Sequence, residues 1–507
     1  MSVFLRRSCG AVIAYAVVSQ SAWADLTAND VWADWQAYLG GMGYEVSGTA
    51  STSGNVTTVA NVSLAMDLPE QDGQFTMNFP EMTMTENGDG TVSIGLPASF
   101  PLVIDGTADD EVFKAALTYS HDGMTMLVSG SPEDMTYDYS ASRLGVVLDS
   151  VEADGETIPS DVVKVAFDMT GVAGTSRMVI GENRDVDQSF TADGLTYDIA
   201  FDDPESDDQG KFSGKMDALT FKGAGMIPMG INAADYQSMI EAGFNFAGAF
   251  TYGAGSSDIS GTGDGEQFGM QSSSQGGTFE IAMDADHIGY DIAQNSVELS
   301  VTSQDLPFPI ELAMAQAGIK FDVPVQASDE AQPFAFGMNL TDFTMSDIIW
   351  GMFDPAGALP RDPATIALDA TGTAKVLVDF LDPTVAETLD ATEAAPGELE
   401  TLAINQLTVS MVGAKLTGTG AFEFDNSNLE AFDGMPAPSG EANLQLVGAN
   451  ALIDKLIGMG LMSDSDAMGA RMMMGMLAVP GDAPDTLNSK IEINKEGHIS
   501  ANGQRIK

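Results

Sequence analysis

From about Tyr44 onward the apolar positions recur at every second residue. Val62, Leu64, Met66 and Leu68 alternate with small or polar residues, and Phe75, Met77, Phe79 and then Met82 and Met84 do the same. Asn87-Gly88-Asp89-Gly90 separates that run from Val92, Ile94 and Leu96. This predicts a hairpin, because Gly and Asn tolerate the positive φ of a tight turn. Similar runs are Val163 to Met169, Phe279 to Met283, Val297 to Val301, Ile404 to Met411 and Ile491 to Ile493. A strand with one apolar and one polar face suits an antiparallel sheet that is wet on one side. The expected fold is therefore mainly β: an extended, twisted antiparallel sheet of many hairpins, with room for two similar halves and a few packed helices.

Helical spacing interrupts the alternation in a few places. Thr27 and Asp30 form a capping box ahead of Val31, Trp32, Trp35, Tyr38 and Leu39, and Gly40-Gly41 ends the run, so a helix is expected here, packed on the edge or end of the sheet. Asn232 to Gly243 and Thr344 to Phe353 read as short helices, and Ala449 to Gly460 with Asp466 to Ala478 as a helical hairpin. Asp202 to Gly210 and Ser256 to Glu266 read as exposed loops. The implied division is residues 1–24, 25–245 as a helix plus a β-rich half, and 246–507 as a β-rich half carrying the hairpin.

Met135-Thr136-Tyr137-Asp138, Leu195-Thr196-Tyr197-Asp198 and Ile288-Gly289-Tyr290-Asp291 each begin a strand-like stretch. In the first and third, a second alternating run follows closely. The separations between the three are unequal, so the pattern points to stacked hairpin units rather than a solenoid period.

Composition decides the compartment. Arg6 and Arg7, the apolar run Gly10 to Val18 and Ser21-Ala22-Trp23-Ala24 describe a secretory leader, with cleavage expected between Ala24 and Asp25 and a periplasmic product. Cys9, the one cysteine, leaves with it, so no disulfide framework or cysteine-ligated metal is expected. The remaining chain has no continuous apolar run of about 18 residues, so no membrane span is expected after the leader. With 74 acidic and 20 basic side chains, a nucleic-acid partner is disfavoured, since phosphate binding needs Lys and Arg.

Catalytic motifs are missing. His121, His287 and His498 are far apart, and there is no H-E-x-x-H, G-x-S-x-G, Walker or G-x-G-x-x-G pattern. The acidic cluster Asp202, Asp203, Glu205, Asp207 and Asp208 lacks calcium-loop spacing and reads as a solvated hairpin tip. Met468, Met472, Met473, Met474 and Met476 point around a helix rather than to one side, so they read as pliable apolar contacts, not a copper site. No catalytic, cofactor or metal residue is assigned, and no cofactor is expected.

Several stretches resemble an exported family of alphaproteobacteria, the domain of unknown function 2125. They are Asp30-Val31-Trp32-Ala33-Asp34-Trp35, Phe250-Thr251-Tyr252-Gly253-Ala254-Gly255, Phe353-Asp354-Pro355 and Leu359-Pro360-Arg361-Asp362-Pro363-Ala364. Towards the C-terminus they are Asn450 to Leu456, Gly469 to Met474 and Ser500 to Arg505. The resemblance implies export and a β-rich body and transfers no catalytic residue. A fainter architectural likeness, carried also by Asn502-Gly503-Gln504, is to AsmA-type envelope proteins, whose β-hairpins form lipid-holding grooves. The functional expectation is a non-catalytic periplasmic protein that binds a lipid or other apolar envelope ligand. The alternative is a structural or interaction protein of the envelope with a filled core, its protein partner unknown. An enzyme ranks last, a carboxylate-only hydrolase being its remaining form.

Overall fold

The computed structural model describes residues 25–507 apart from 69–72, 109–110, 154, 160–161, 204–205, 232–235, 383–384, 386–394, 430–431 and 433–434. The expected leader and Ala24 lie outside the described residues, as do Asn232 to Asp235 of the second expected helix and Glu205 of the acidic cluster.

Helix α1 (Ala28–Gly41) leads into β1 (Glu45–Ser53), β2 (Val56–Leu68) and β3 (Gly73–Glu86), which pair in order. Two short strands then lie end to end beside β3, namely β4 (Val92–Gly95) and β5 (Ser99–Ala108). The next two are also short: β6 (Glu111–Asp122) pairs with β5, and β7 (Thr125–Ser131) with β4. The long β8 (Asp134–Ala153) spans both of these. After the short β9 (Glu156–Ile158) come the long strands β10 (Val163–Ile180), β11 (Asn183–Asp202) and β12 (Gln209–Pro228). Helix α2 (Tyr236–Glu241) precedes a second split set: β13 (Asn245–Tyr252), β14 (Gly255–Gly263), β15 (Glu266–Ser274) and β16 (Gly277–Met283), closed by the long β17 (His287–Ser303).

From there β18 (Ile310–Pro324), β19 (Gln332–Met345), β20 (Ala364–Val376), β21 (Gly397–Met411), β22 (Ala414–Asp425) and β23 (Ala437–Val447) pair successively, with α3 (Asp347–Phe353) between β19 and β20. The hairpin α4 (Ala449–Gly458) and α5 (Asp464–Leu477) precedes β24 (Val479–Pro480), β25 (Thr486–Ile493), β26 (Ile499–Ala501) and β27 (Gln504–Arg505). All these strands join one sheet, and its pairings are antiparallel. The expected fold class is the observed one.

The two split sets share a nested topology. In the first, β3 carries β4 and β5, β5 turns into β6, β7 returns to β4, and β8 spans β6 and β7. In the second, β12, β13, β14, β15, β16 and β17 repeat the same roles. β8 begins at Asp134 and β17 at His287, which sets Tyr137-Asp138 and Tyr290-Asp291 at equivalent positions. The first and third Tyr-Asp starts thus mark a duplicated unit. The second, in β11, belongs to the connecting hairpins.

A transverse seam crosses the strands. Ala141 and Leu144 of β8, Met169 and Val172 of β10, Ala192 and Leu195 of β11, and Met216 and Leu219 of β12 all pack in one cluster, although each pair is three residues apart. Residues three apart on a regular strand face opposite ways, so each strand inverts its alternation between them. Gly171 (φ 61) and Ala218 (φ 53) lie at the inversion, and Asn61 (φ 52), Ser296 (φ 49) and Asp342 (φ 53) mark it in β2, β17 and β19. At Gly171 an added Cβ would come within 2.1 Å of Asp193 Oδ2. The breaks between short strands fall on the same line. Gly253 N–H donates to Asp217 O and Asp217 N–H to Ala254 O; Gln275 N–H donates to Asn295 O and Asn295 N–H to Gly276 O. Such interruptions bend strands and raise their twist. The sheet is thereby divided lengthwise into two wings whose apolar residues share one side.

Two local expectations change. Residues 256–263 of the expected loop Ser256 to Glu266 belong to β14, their Ser and Asp side chains alternating across a strand. The helix expected over Thr344 to Phe353 begins at Asp347, because Thr344 and Met345 complete β19. The capping box of α1 is present, with Asp30 N–H donating to Thr27 Oγ1 and Thr27 N–H to Asp30 Oδ2. As expected, that helix packs at the end of the sheet that begins with the edge strand β1, where it lies on the apolar face: Val31 and Trp32 share one cluster with residues as distant as Met178 of β10.

Candidate functional site: a partly covered apolar face

On one wing, directly paired residues form a row across fourteen strands. From β8 it runs Tyr139, Gly174, Phe190, Phe221, Phe250, Phe279 and Ile292, then Ile319, Met338, Leu368, Leu407, Gly418, Leu444 and Ser489 on β25. At about 4.8 Å per strand the row is roughly 62 Å long. The other wing carries a second row: Val165, Ile199, Phe212, Ile259, Met270, Val301 and Ile310. Aromatic neighbours line the same side, with Tyr290 and Phe321 rings 5.0 Å apart and Tyr197 and Phe212 rings 4.7 Å apart.

Cover differs sharply along this face. Where α1 lies over it, Val59, Met84, Val92 and Val128 are 0% exposed. Beyond the helix, Phe201 is 52% exposed, Phe268 50%, Ile319 43%, Phe212 40% and Phe279 37%. Residues at equivalent places in the duplicated unit make the contrast direct. Val128, Met135 and Tyr137 are buried, whereas Ile281, Ile288 and Tyr290 are only half-buried. Burying such side chains is worth about 1.5–3 kcal/mol each, so the uncovered stretch is a standing reservoir of unrealised apolar burial.

The covered end is held by charge. Arg184 reaches from β11 and donates from Nη2 to Asp34 Oδ1 at 2.6 Å, both side chains being almost fully buried. Tyr137 OH donates to Asp34 Oδ2 at 3.1 Å, and Arg184 Cζ sits 5.0 Å from the centre of the Tyr38 ring. Burial, reinforced by the Asp34 charge, holds the Tyr137 phenol well above its ordinary range.

The opposite face is polar. The row Lys222, Ala249, Glu280, Asp291 and Lys320 lies one residue along from the apolar row. Ion pairs there include Arg177–Asp134 at 2.7 Å and Lys320–Asp291 at 3.8 Å. The Arg177 hydrogen bond holds the Asp134 carboxyl below its usual range.

The sequence candidates for chemistry are not brought together. His121 Nε2 lies 3.2 Å from Leu96 O, His287 Nε2 lies 3.1 Å from Pro333 O, and the His498 ring faces Asn494. Among the described residues no cluster of three or more His, Cys, Asp or Glu could hold a metal, and no helix is long and apolar enough to cross a membrane. Asp202, Asp203, Asp207 and Asp208 stand at the β11–β12 turn, where Asp203 N–H donates to Asp208 O. Met468, Met472, Met473 and Met476 are exposed on α5. Asp25, on the far side of the expected cleavage point, is the first described residue. Sequence reading missed Arg184 and Asp34, since 150 residues separate them; an Asp on the buried stripe of an amphipathic helix was the available signal.

No curated protein and no solved structure matches the chain, so the likeness to AsmA-type proteins gains no counterpart there. The resembling stretches from Phe250 to Met474 fall within a family match, whereas Asp30 to Trp35 lies before it and Ser500 to Arg505 runs past its end. Residues 250–500 match the model described as "Uncharacterized protein conserved in bacteria (DUF2125)", and through this half the chain belongs to that family.

Proposed function

We propose that the chain is a non-catalytic periplasmic protein that holds lipid acyl chains along its apolar face. The observation that carries this reading is the change of cover on one continuous surface, from fully buried under α1 to roughly half exposed beyond it. A face of this length suits long flexible chains better than a compact ligand, because each strand adds another apolar step. The charge balance of the chain, 74 acidic against 20 basic side chains, favours zwitterionic or neutral headgroups over anionic ones. The leader-like Arg6 to Ala24 supports export.

The experiment is native mass spectrometry after incubation with vesicles of phosphatidylcholine, and separately of phosphatidylglycerol. Bound phosphatidylcholine, at higher occupancy than phosphatidylglycerol, is expected. A chain that takes up neither lipid contradicts the reading and favours a protein whose apolar face is covered by a protein partner.

A further inference from the structure

We infer that α1 is a displaceable plug that closes one end of the apolar face, latched by the buried Arg184–Asp34 pair. This rests on the proposed lipid site and assigns its regulation. Three observations support it. First, α1 contributes no strand; it occupies, over β2, β3, β4, β7, β8 and β10, the same face that is uncovered further along. Second, the duplicated unit built from β12 to β17 has the same topology without an equivalent cover over Phe279 and Ile292 among the described residues, both being 37% exposed, so the strands beneath α1 do not need the helix in order to pair. Third, the helix is held by a polar lock among apolar contacts. Asp34 accepts from both Arg184 and Tyr137, and Arg184 also donates from Nη1 to Met178 Sδ at 3.2 Å. Ala28 N–H donates to Glu86 Oε1 at 3.0 Å and pins the helix start.

A buried ion pair is a poor source of net stability, because desolvation offsets most of the attraction. Its use is to make one seated position definite. Acyl chains supply the apolar contacts that α1 makes but not its charges, so they compete with the body of the helix while the lock opposes them. Lifting α1 would add the six strands beneath it to the lipid-accessible face, which otherwise begins at about β11.

The test uses the full chain and phosphatidylcholine vesicles whose acyl chains carry bromine, which quenches nearby tryptophan. Trp350 is replaced by Phe, so that Trp32 and Trp35 on α1 report alone in the exported chain. In Asp34→Ala the lock is lost, and bound lipid by native mass spectrometry is expected to rise about 1.5-fold, with red-shifted and more strongly quenched emission. In the double variant Asp34→Leu with Arg184→Met the charges that acyl chains cannot replace are gone without stranding Arg184, and lipid occupancy should again exceed that of the parent.

If Asp34→Ala does not fold, hydrogen exchange of the Val31–Leu39 amides in the parent chain decides. Saturating lipid should accelerate it at least 10-fold. Unchanged or slowed exchange, or equal lipid occupancy in Asp34→Ala and the parent, overturns the plug while leaving the lipid site standing. If neither the parent nor any variant takes up lipid, it is the lipid site itself that fails, and the plug with it.

Discussion

Replacing Arg184 with Met removes a guanidinium that is almost entirely buried and leaves the Asp34 carboxylate equally buried, with the Tyr137 hydroxyl as its remaining side-chain donor. Methionine keeps most of the aliphatic volume, so the loss is chiefly electrostatic. Removing one partner of a buried pair costs about 3–5 kcal/mol, against about 0–1 kcal/mol for an exposed pair. In a Trp350→Phe background of the exported chain, urea unfolding followed by Trp32 and Trp35 emission reports on this region, because both rings sit on α1. With a slope of about 2 kcal/mol per molar urea, the midpoint should fall by roughly 1.5–2.5 M. Adding Asp34→Leu to Arg184→Met removes the stranded charge, and stability should return to within about 1 kcal/mol of the parent. A loss below about 1 kcal/mol in Arg184→Met, or a double variant as weak as the single, would refute the assignment of a buried lock.

Other substitutions test separate parts of the fold. Gly448, the N-cap of α4, has no side chain to cap it. Asp485 serves instead, accepting from Ala451 N–H at 2.9 Å and Asn450 Nδ2 at 2.8 Å, so Asp485→Ala should cost about 1 kcal/mol in urea unfolding. Burial pushes the Asp485 carboxyl upward, but the Ala451 and Asn450 hydrogen bonds prevail and its folded pKa is lowered. Its contribution should therefore be complete above the unfolded carboxylate pKa and be lost as pH falls through the folded value, so the stability gap between parent and Asp485→Ala should close in acid titrations. Ala218 holds φ 53 at the seam, and Ala218→Gly should stabilise by about 0.5–1 kcal/mol; a destabilised variant would count against the left-handed backbone assigned there.

Much of the sheet is legible in the sequence because period-two alternation states directly which residues share a face. The α1 capping box and the Asn87–Gly90 turn are local devices and are readable for the same reason. The seam was not, because Ala218, Ser296 and Asp342 adopt left-handed backbone without being glycine, and an inverted alternation looks like two unrelated runs. The duplicated unit left little trace beyond Tyr137-Asp138 and Tyr290-Asp291, since strand pairing constrains polarity rather than identity. Alternation also says which side is apolar but not what covers it. That depends on where α1 docks, and the docking is fixed by Arg184, far along the chain.

The most direct measurement of the central claim is thiol labelling of single cysteines placed along the apolar rows, in a chain with Cys9 replaced by Ser. Cysteines at Phe268, Phe279 and Ile319 should react with a small maleimide at least about 100-fold faster than cysteines at Val92 and Val128, and phosphatidylcholine should protect the first three. Equally slow labelling at all five positions without lipid would mean that the face is packed throughout, and would contradict the account.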